Sequence, residues 1–178
     1  MSLAKNFEHN IAEQLKNIGV FVYRLSDLVN KFGVSNPCDY FAYKYPYMYL
    51  FEMKTTAGSS LPLKNISDFQ YNSMLESSKI KGMKPYFIIW YYDRDVTIAV
   101  PIEVIKDIKE TNKKSIRYDY NDKRIINING EKKKIYFEYD WSEFFGTMAH
   151  ICKRTRSKTR KCKGNKRSRY YKCTFRCG

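Results

Sequence analysis

The sequence lacks long apolar runs. The longest lies around Tyr86–Tyr92, well short of the roughly 20 residues a membrane helix needs. The first ten residues, MSLAKNFEHN, have no apolar core of a secretory signal. Neither a membrane span nor export through a cleaved signal is expected, and a cytoplasmic location is. Histidine is scarce: only His9 and His150 occur. They match no metal or triad spacing and read as surface residues. GxxxxGK(S/T) and GxGxxG are both absent, so nothing supports nucleotide hydrolysis or a nucleotide cofactor.

Acidic residues are missing from one whole segment. Residues 150–178 hold none of the 18 Asp and Glu but twelve of the 33 Lys and Arg. Residues 1–149 keep 21 basic against 18 acidic, so the tail supplies most of the net charge of +15. A segment so charged and without apolar periodicity is expected to be flexible by itself. It reads as an arm adding salt-dependent affinity for phosphates, or else as a dispensable extension. The overall balance favours a polyanionic partner, nucleic acid foremost. Cys152, Cys162, Cys173 and Cys177 lie here near His150, but no CxxC pair occurs, which makes a zinc site a weak reading. Disulfides are expected even less in an intracellular chain. The fifth cysteine, Cys38, has no local base to make it a nucleophile and reads as a small strand residue.

What is present suffices for a core. Of 178 residues, 43% are hydrophobic and 16% aromatic, which fits one domain over 1–149 with 150–178 as its tail. Apolar positions at Leu3, Phe7, Ile11, Leu15 and Ile18 have helical spacing, with Ser2 as N-cap and Gly19 just past the end. Val20–Leu25 reads as a buried strand and Ser26–Gly33 as a short helix or turn. Cys38–Tyr43 and Tyr47–Lys54 read as paired strands, and Thr55–Asn65 as a loop. Ser67–Lys79 reads as a helix opened by a Ser67/Gln70 capping box. Pro85–Tyr91 and Val96–Val100 read as strands, and Ile102–Thr111 as a helix begun at Pro101. Asn129-Gly130 suggests a hairpin between Arg124–Ile128 and Lys133–Tyr139, and Trp141–Ala149 a last helix. The order predicts an α/β domain with a mixed central sheet flanked by helices.

The chemistry concentrates at Asp39 and Phe51-Glu52-Met53-Lys54. Glu52 and Lys54 are two apart on a strand and share a face. Their neighbours are apolar, so the charges need partners or a metal. A hairpin can bring Asp39 beside Glu52, and two carboxylates at one spot call for a cation between them. A hard divalent ion with oxygen ligands suits, Mg²⁺ best where phosphate completes its shell. Alternatively, Asp39 sits in a turn after Asn36-Pro37 while Glu52 and Lys54 merely pair on an edge strand.

Pro37-Cys38-Asp39 followed by Glu52-Met53-Lys54 resembles the PD-(D/E)XK nuclease signature, with one residue inserted between Pro and Asp. The run FEMKTTAGSSLPLKNISDFQYNSM, residues 51–74, is similar to the RecU-type Holliday junction resolvases. There an ExK-T strand precedes a Pro-Leu-Lys-Asn segment and a helix bearing Gln. PYFIIWYYDRDVTIAVPIEVI and Lys114-Ser115-Ile116-Arg117 extend the resemblance across roughly residues 4–120. It implies a restriction-endonuclease-like fold and a homodimer acting as a metal-dependent endonuclease on branched DNA. It also implies roles. Asp39 and Glu52 would bind Mg²⁺, or Mn²⁺, with the Met53 carbonyl. Lys54 would orient water. Glu8 would lie near the metal, and Gln70 near the scissile phosphate. Thr55, Thr56, Lys64 and Asn65 would contact DNA. The family carries a long stalk between its first strands, whereas about a dozen residues join Leu25 to Asp39 here. A restriction-like or repair nuclease on duplex or flapped DNA therefore stays open, as does a non-catalytic DNA-binding module.

Overall fold

The computed structural model describes residues 2–25, 36–133 and 136–146. The expectations for Ser26–Gly33, for 147–149 and for the basic tail with its four cysteines and His150 lie outside them. No helix among the described residues is long and apolar enough to cross a membrane.

The chain opens with helix α1, Leu3–Asn17. Ser2 caps it by accepting from Lys5 N–H at 3.3 Å, which satisfies one of the orphan donors of the first turn. Strands β1 (Phe21–Arg24), β2 (Tyr40–Lys44) and β3 (Tyr47–Thr56) follow as an antiparallel meander. Next come β4 (Ser60–Pro62), a 3₁₀ turn at Leu63–Asn65, and helix α2 (Asp68–Ser78). Strand β5 (Met83–Tyr91) returns parallel to β3, from Met48↔Met83 to Thr56↔Tyr91. Strand β6 (Val96–Pro101) pairs antiparallel with β5 and leads into helix α3 (Ile102–Glu110), with Pro101 as N-cap. β7 (Ser115–Arg117), β8 (Ile126–Asn127), β9 (Gly130–Lys132) and β10 (Phe137–Tyr139) complete the strands, and residues 142–146 are helical. The main sheet runs β1-β2-β3-β5-β6-β8. It is mixed because a helix, α2, makes the crossover between β3 and β5 and leaves them parallel.

Alternation along β3 divides the core in two. Tyr49, Phe51 and Met53 pack with Phe7, Ile11 and Leu15 of α1 and with Trp141, Phe144 and Phe145. Leu50 packs on the other face with Met74 of α2 and Ile102, Val104, Ile105 and Ile108 of α3. Both faces of the sheet are covered, so β3 and β5 read as continuous apolar runs.

Three expectations need correction. β1 is not buried: Phe21 is 65% and Tyr23 58% exposed. It is an edge strand, and only Val22 of the four packs against the α1-side core. The 55–65 segment is not all loop, because β4 pairs with β7, Leu61 opposite Ile116. That partner lies 55 residues downstream, beyond any local signal. Asn129-Gly130 is not a hairpin turn. β8 pairs with β6 and β9 with β10. Gly130 lies under the Tyr139 ring, where a Cβ would meet Cδ1 at 2.8 Å. Its missing side chain serves ring packing rather than a turn.

Candidate active site

β3 sits between β2 and β5, and Leu50 sets the parity of its side chains. Glu52 and Lys54 therefore project to the face shared with α2 and α3. Glu52 is 1% exposed. Lys54 Nζ lies 2.8 Å from its Oε1. Gln70 Nε2 donates to the same Oε1 at 2.6 Å, and Lys54 Nζ donates to Gln70 Oε1 at 3.4 Å. Acid, base and amide thus close a triangle.

The local sequence of α2 holds Gln70 there. Its backbone N–H donates to Ser67 Oγ at 3.2 Å, and its Oε1 accepts from Ser67 N–H at 3.4 Å. This is the capping box at the start of α2. It turns the amide's N–H₂ toward Glu52. Gln70 both caps the helix and reaches the carboxylate.

Asp39 arrives from the lead-in to β2. Tyr40 pairs with Phe51, and Asp39 N–H donates to Phe51 O at 3.1 Å. One more step of that register sets Asp39 opposite Glu52. Leu25 N–H donates to Asp39 O at 2.9 Å, and Met53 N–H donates to the Asp39 carboxylate at 2.7 Å. Backbone groups alternate sides along a strand. Phe51 O and Met53 N–H both face Asp39, so the Met53 carbonyl lies on that edge too.

Burial raises the Glu52 carboxyl to about 7, with the Asp39 charge adding to the rise and Lys54 opposing both. Glu8 adds a smaller push in the same direction. Its carboxylate lies 3.8 Å from Arg24 on β1, so α1 brings it into electrostatic reach of the site. Among the described residues Glu52 Oε2 is buried without a hydrogen-bond partner. An orphaned buried carboxylate oxygen, in a carboxyl that the Asp39 charge helps to raise, fits a cation. Among the described residues no cluster of three or more His, Cys, Asp or Glu could hold a metal ion. Two carboxylates and a carbonyl suit Mg²⁺, which keeps waters and phosphate oxygens in its shell, better than an all-protein cage.

The other candidates lie further out. Thr55 has the parity of Met53 and so faces the α1 side. Thr56 Oγ1 donates to the Ala57 and Ser60 carbonyls, each at 3.2 Å, and closes the turn into β4. Lys64 and Asn65 are exposed on the 3₁₀ turn. Cys38 is buried, its Sγ 3.4 Å from the Tyr40 carbonyl. Burial, then Glu52 and Asp39, push its thiol up, so it stays protonated and structural. His9 is exposed on α1. Sequence reasoning missed Arg24 beside Glu8, and the lysines Lys109, Lys113 and Lys114. The latter stand out only as a dense run of charge in IKETNKKS.

Residues 29–140 match the family model described as RecU, Recombination protein U. A solved structure that matches is that of Archaeoglobus fulgidus Hjc, a Holliday junction resolvase from an archaeal hyperthermophile. It is 21% identical, covers 64% of this chain and 87% of that one, and has a TM-score of 0.49. No curated protein matches.

Proposed function

Because the chain belongs to the RecU family of recombination proteins, we propose that it is a divalent-metal-dependent endonuclease that resolves Holliday junctions or related branched DNA. The observation carrying this is Glu52, buried to 1% with Oε2 unpartnered, beside Asp39, Lys54 and Gln70.

Asp39, Glu52 and the Met53 carbonyl would hold the ion, Mg²⁺ with Mn²⁺ as a substitute. Bound there, it supplies polarisation of the phosphate and a lowered pKa for the attacking water. Lys54 holds that water, or a non-bridging phosphate oxygen, and offsets negative charge as the phosphodiester opens. Gln70 fixes the Glu52 and Lys54 head groups by hydrogen bonds to both. Glu8 adds negative potential that favours a cation at the site. Lys64 and Asn65 contact the backbone beyond the scissile phosphate, and the Thr56 hydroxyl holds the turn that follows β3. Symmetric cutting of a four-way junction needs two sites related by a two-fold axis, so the working form is a homodimer in the cytoplasm.

A second reading keeps this site but takes duplex or flapped DNA. The short connection between Leu25 and Asp39 favours it, because a stalk that fills a junction centre has no room there. The test is cleavage of a labelled four-way junction and a matched linear duplex, with Mg²⁺ and with chelator, by the wild type and D39N. Paired nicks in the junction alone, lost with chelator and in D39N, support resolution. Equal cutting of the duplex moves the substrate to the second reading. Tight binding without cutting of either makes the protein a DNA-binding module.

A further inference from the structure

We propose that an open basic groove beside the candidate active site carries the sugar–phosphate backbone of the bound DNA, its phosphates held by Lys64, Lys113 and Lys114. This rests on the reading of the protein as a DNA nuclease and adds the path the substrate takes. The groove, about 680 Å³, lies between the 3₁₀ turn and the end of α3. Lys64, Lys109, Asn112, Lys113 and Lys114 line it, and among the described residues no acidic side chain does.

Its walls are built rather than accidental. Leu63 N–H donates to the Lys114 carbonyl at 2.9 Å, which pins the 3₁₀ turn to the segment after α3. Just past the end of α3, Asn112 stands at φ 56°, in the left-handed region. Asn112 N–H donates to Lys109 O and Lys113 N–H to Ile108 O. This paired C-terminal cap satisfies carbonyls that would otherwise present negative charge to the groove. Lysines at a helix C-terminus complement its dipole wherever they occur, but Lys64 stands on a separate element, and the dipole does not explain it.

The lysines differ in availability. Lys109 is engaged, 3.7 Å from Asp68 and 3.8 Å from the centre of the Tyr71 ring. Lys113 donates one bond to Tyr120 Oη at 3.3 Å, which leaves two N–H groups. Lys64 and Lys114 are exposed. The 3₁₀ turn that carries Lys64 leads into the start of α2. Lys64 precedes Ser67 by three residues, and Ser67 anchors the Gln70 that touches Glu52 and Lys54. One short segment, from Lys64 to Gln70, thus supplies both a wall of the groove and a contact to the candidate catalytic side chains.

The experiment compares the triple variant K64Q/K113Q/K114Q with K16Q/K79Q/K81Q, which removes the same charge elsewhere. Circular dichroism checks that each folds, and the single variant K64Q serves as a milder probe. Fluorescence anisotropy follows binding to a four-way junction and a duplex in chelator across a salt series. Each phosphate contact contributes a slope of about −0.9 in log affinity against log salt. The groove triple should lose about tenfold to a few hundredfold in affinity near 0.1 M salt, with a slope shallower by about 2 to 3. K64Q should shallow it by about 1, and the other triple should leave it nearly unchanged. An unchanged slope in the groove triple, or equal losses in both triples, overturns the groove. Failure of the wild type to cut any DNA while the groove result holds overturns the nuclease reading instead.

Discussion

Glu52→Gln should make the metal-free protein more stable at neutral pH and unable to cut DNA. Glutamine keeps the acceptor that Gln70 and Lys54 use and removes the buried charge. The magnitude follows from the raised carboxyl. Its folded value of about 7 lies above the ordinary 4.5, so the folded state binds the proton more tightly than the unfolded one. Stability is then highest below about 4.5, falls as pH rises through about 7, and levels off above. The displacement corresponds to at most about 3 kcal/mol. Urea denaturation in chelator at a series of pH values reads it directly. The wild type should lose stability between pH ~5 and ~8. E52Q should lack that loss and exceed the wild type at the upper end by about 1 to 3 kcal/mol. A wild-type curve flat over this window, or an E52Q less stable than wild type at pH ~8, would refute a carboxylate whose burial outweighs its pairing with Lys54.

Three further predictions follow from the same geometry. Mg²⁺ or Mn²⁺ should raise the wild-type thermal midpoint, by the equivalent of about 2.7 kcal/mol at a hundredfold excess over Kd, and D39N should show no shift in a thermal melt. Ser67→Ala should cost about 1 kcal/mol of stability through the lost cap. It should also slow single-turnover cleavage, because Gln70 loses its anchor; an unchanged rate at full metal would show that the anchor is irrelevant to chemistry. Gly130→Ala should cost about 1–3 kcal/mol, since its Cβ meets the Tyr139 ring, as measured by urea titration.

Much of this was legible in the residues and some was not, for physical reasons. The spacing of Glu52 and Lys54 sufficed to put both on one face of β3, and the antiparallel pairing of β2 with β3 explains how Asp39 reaches Glu52. The capping box at Ser67 and Gln70 is a local signal and forms as its residues imply. That the same glutamine reaches Glu52 depends on α2 packing over β3, a tertiary fact. Exposure of Phe21 and Tyr23 depends on β1 lying at the sheet's edge, which an apolar run cannot encode. The β4–β7 pairing and the basic groove join residues some fifty positions apart, so periodicity within a window could not show them. That the Thr56 hydroxyl closes the turn into β4 likewise shows only in the folded chain.

The account turns on a cation meeting the orphaned oxygen of Glu52. Diffraction from crystals soaked in Mn²⁺, collected at a wavelength where manganese scatters anomalously, tests it directly. The predicted result is one peak within about 2.0–2.3 Å of Glu52 Oε2, an Asp39 oxygen and the Met53 carbonyl. A peak elsewhere, or Glu52 Oε2 hydrogen-bonded to the protein with no ion beside it, would contradict the account.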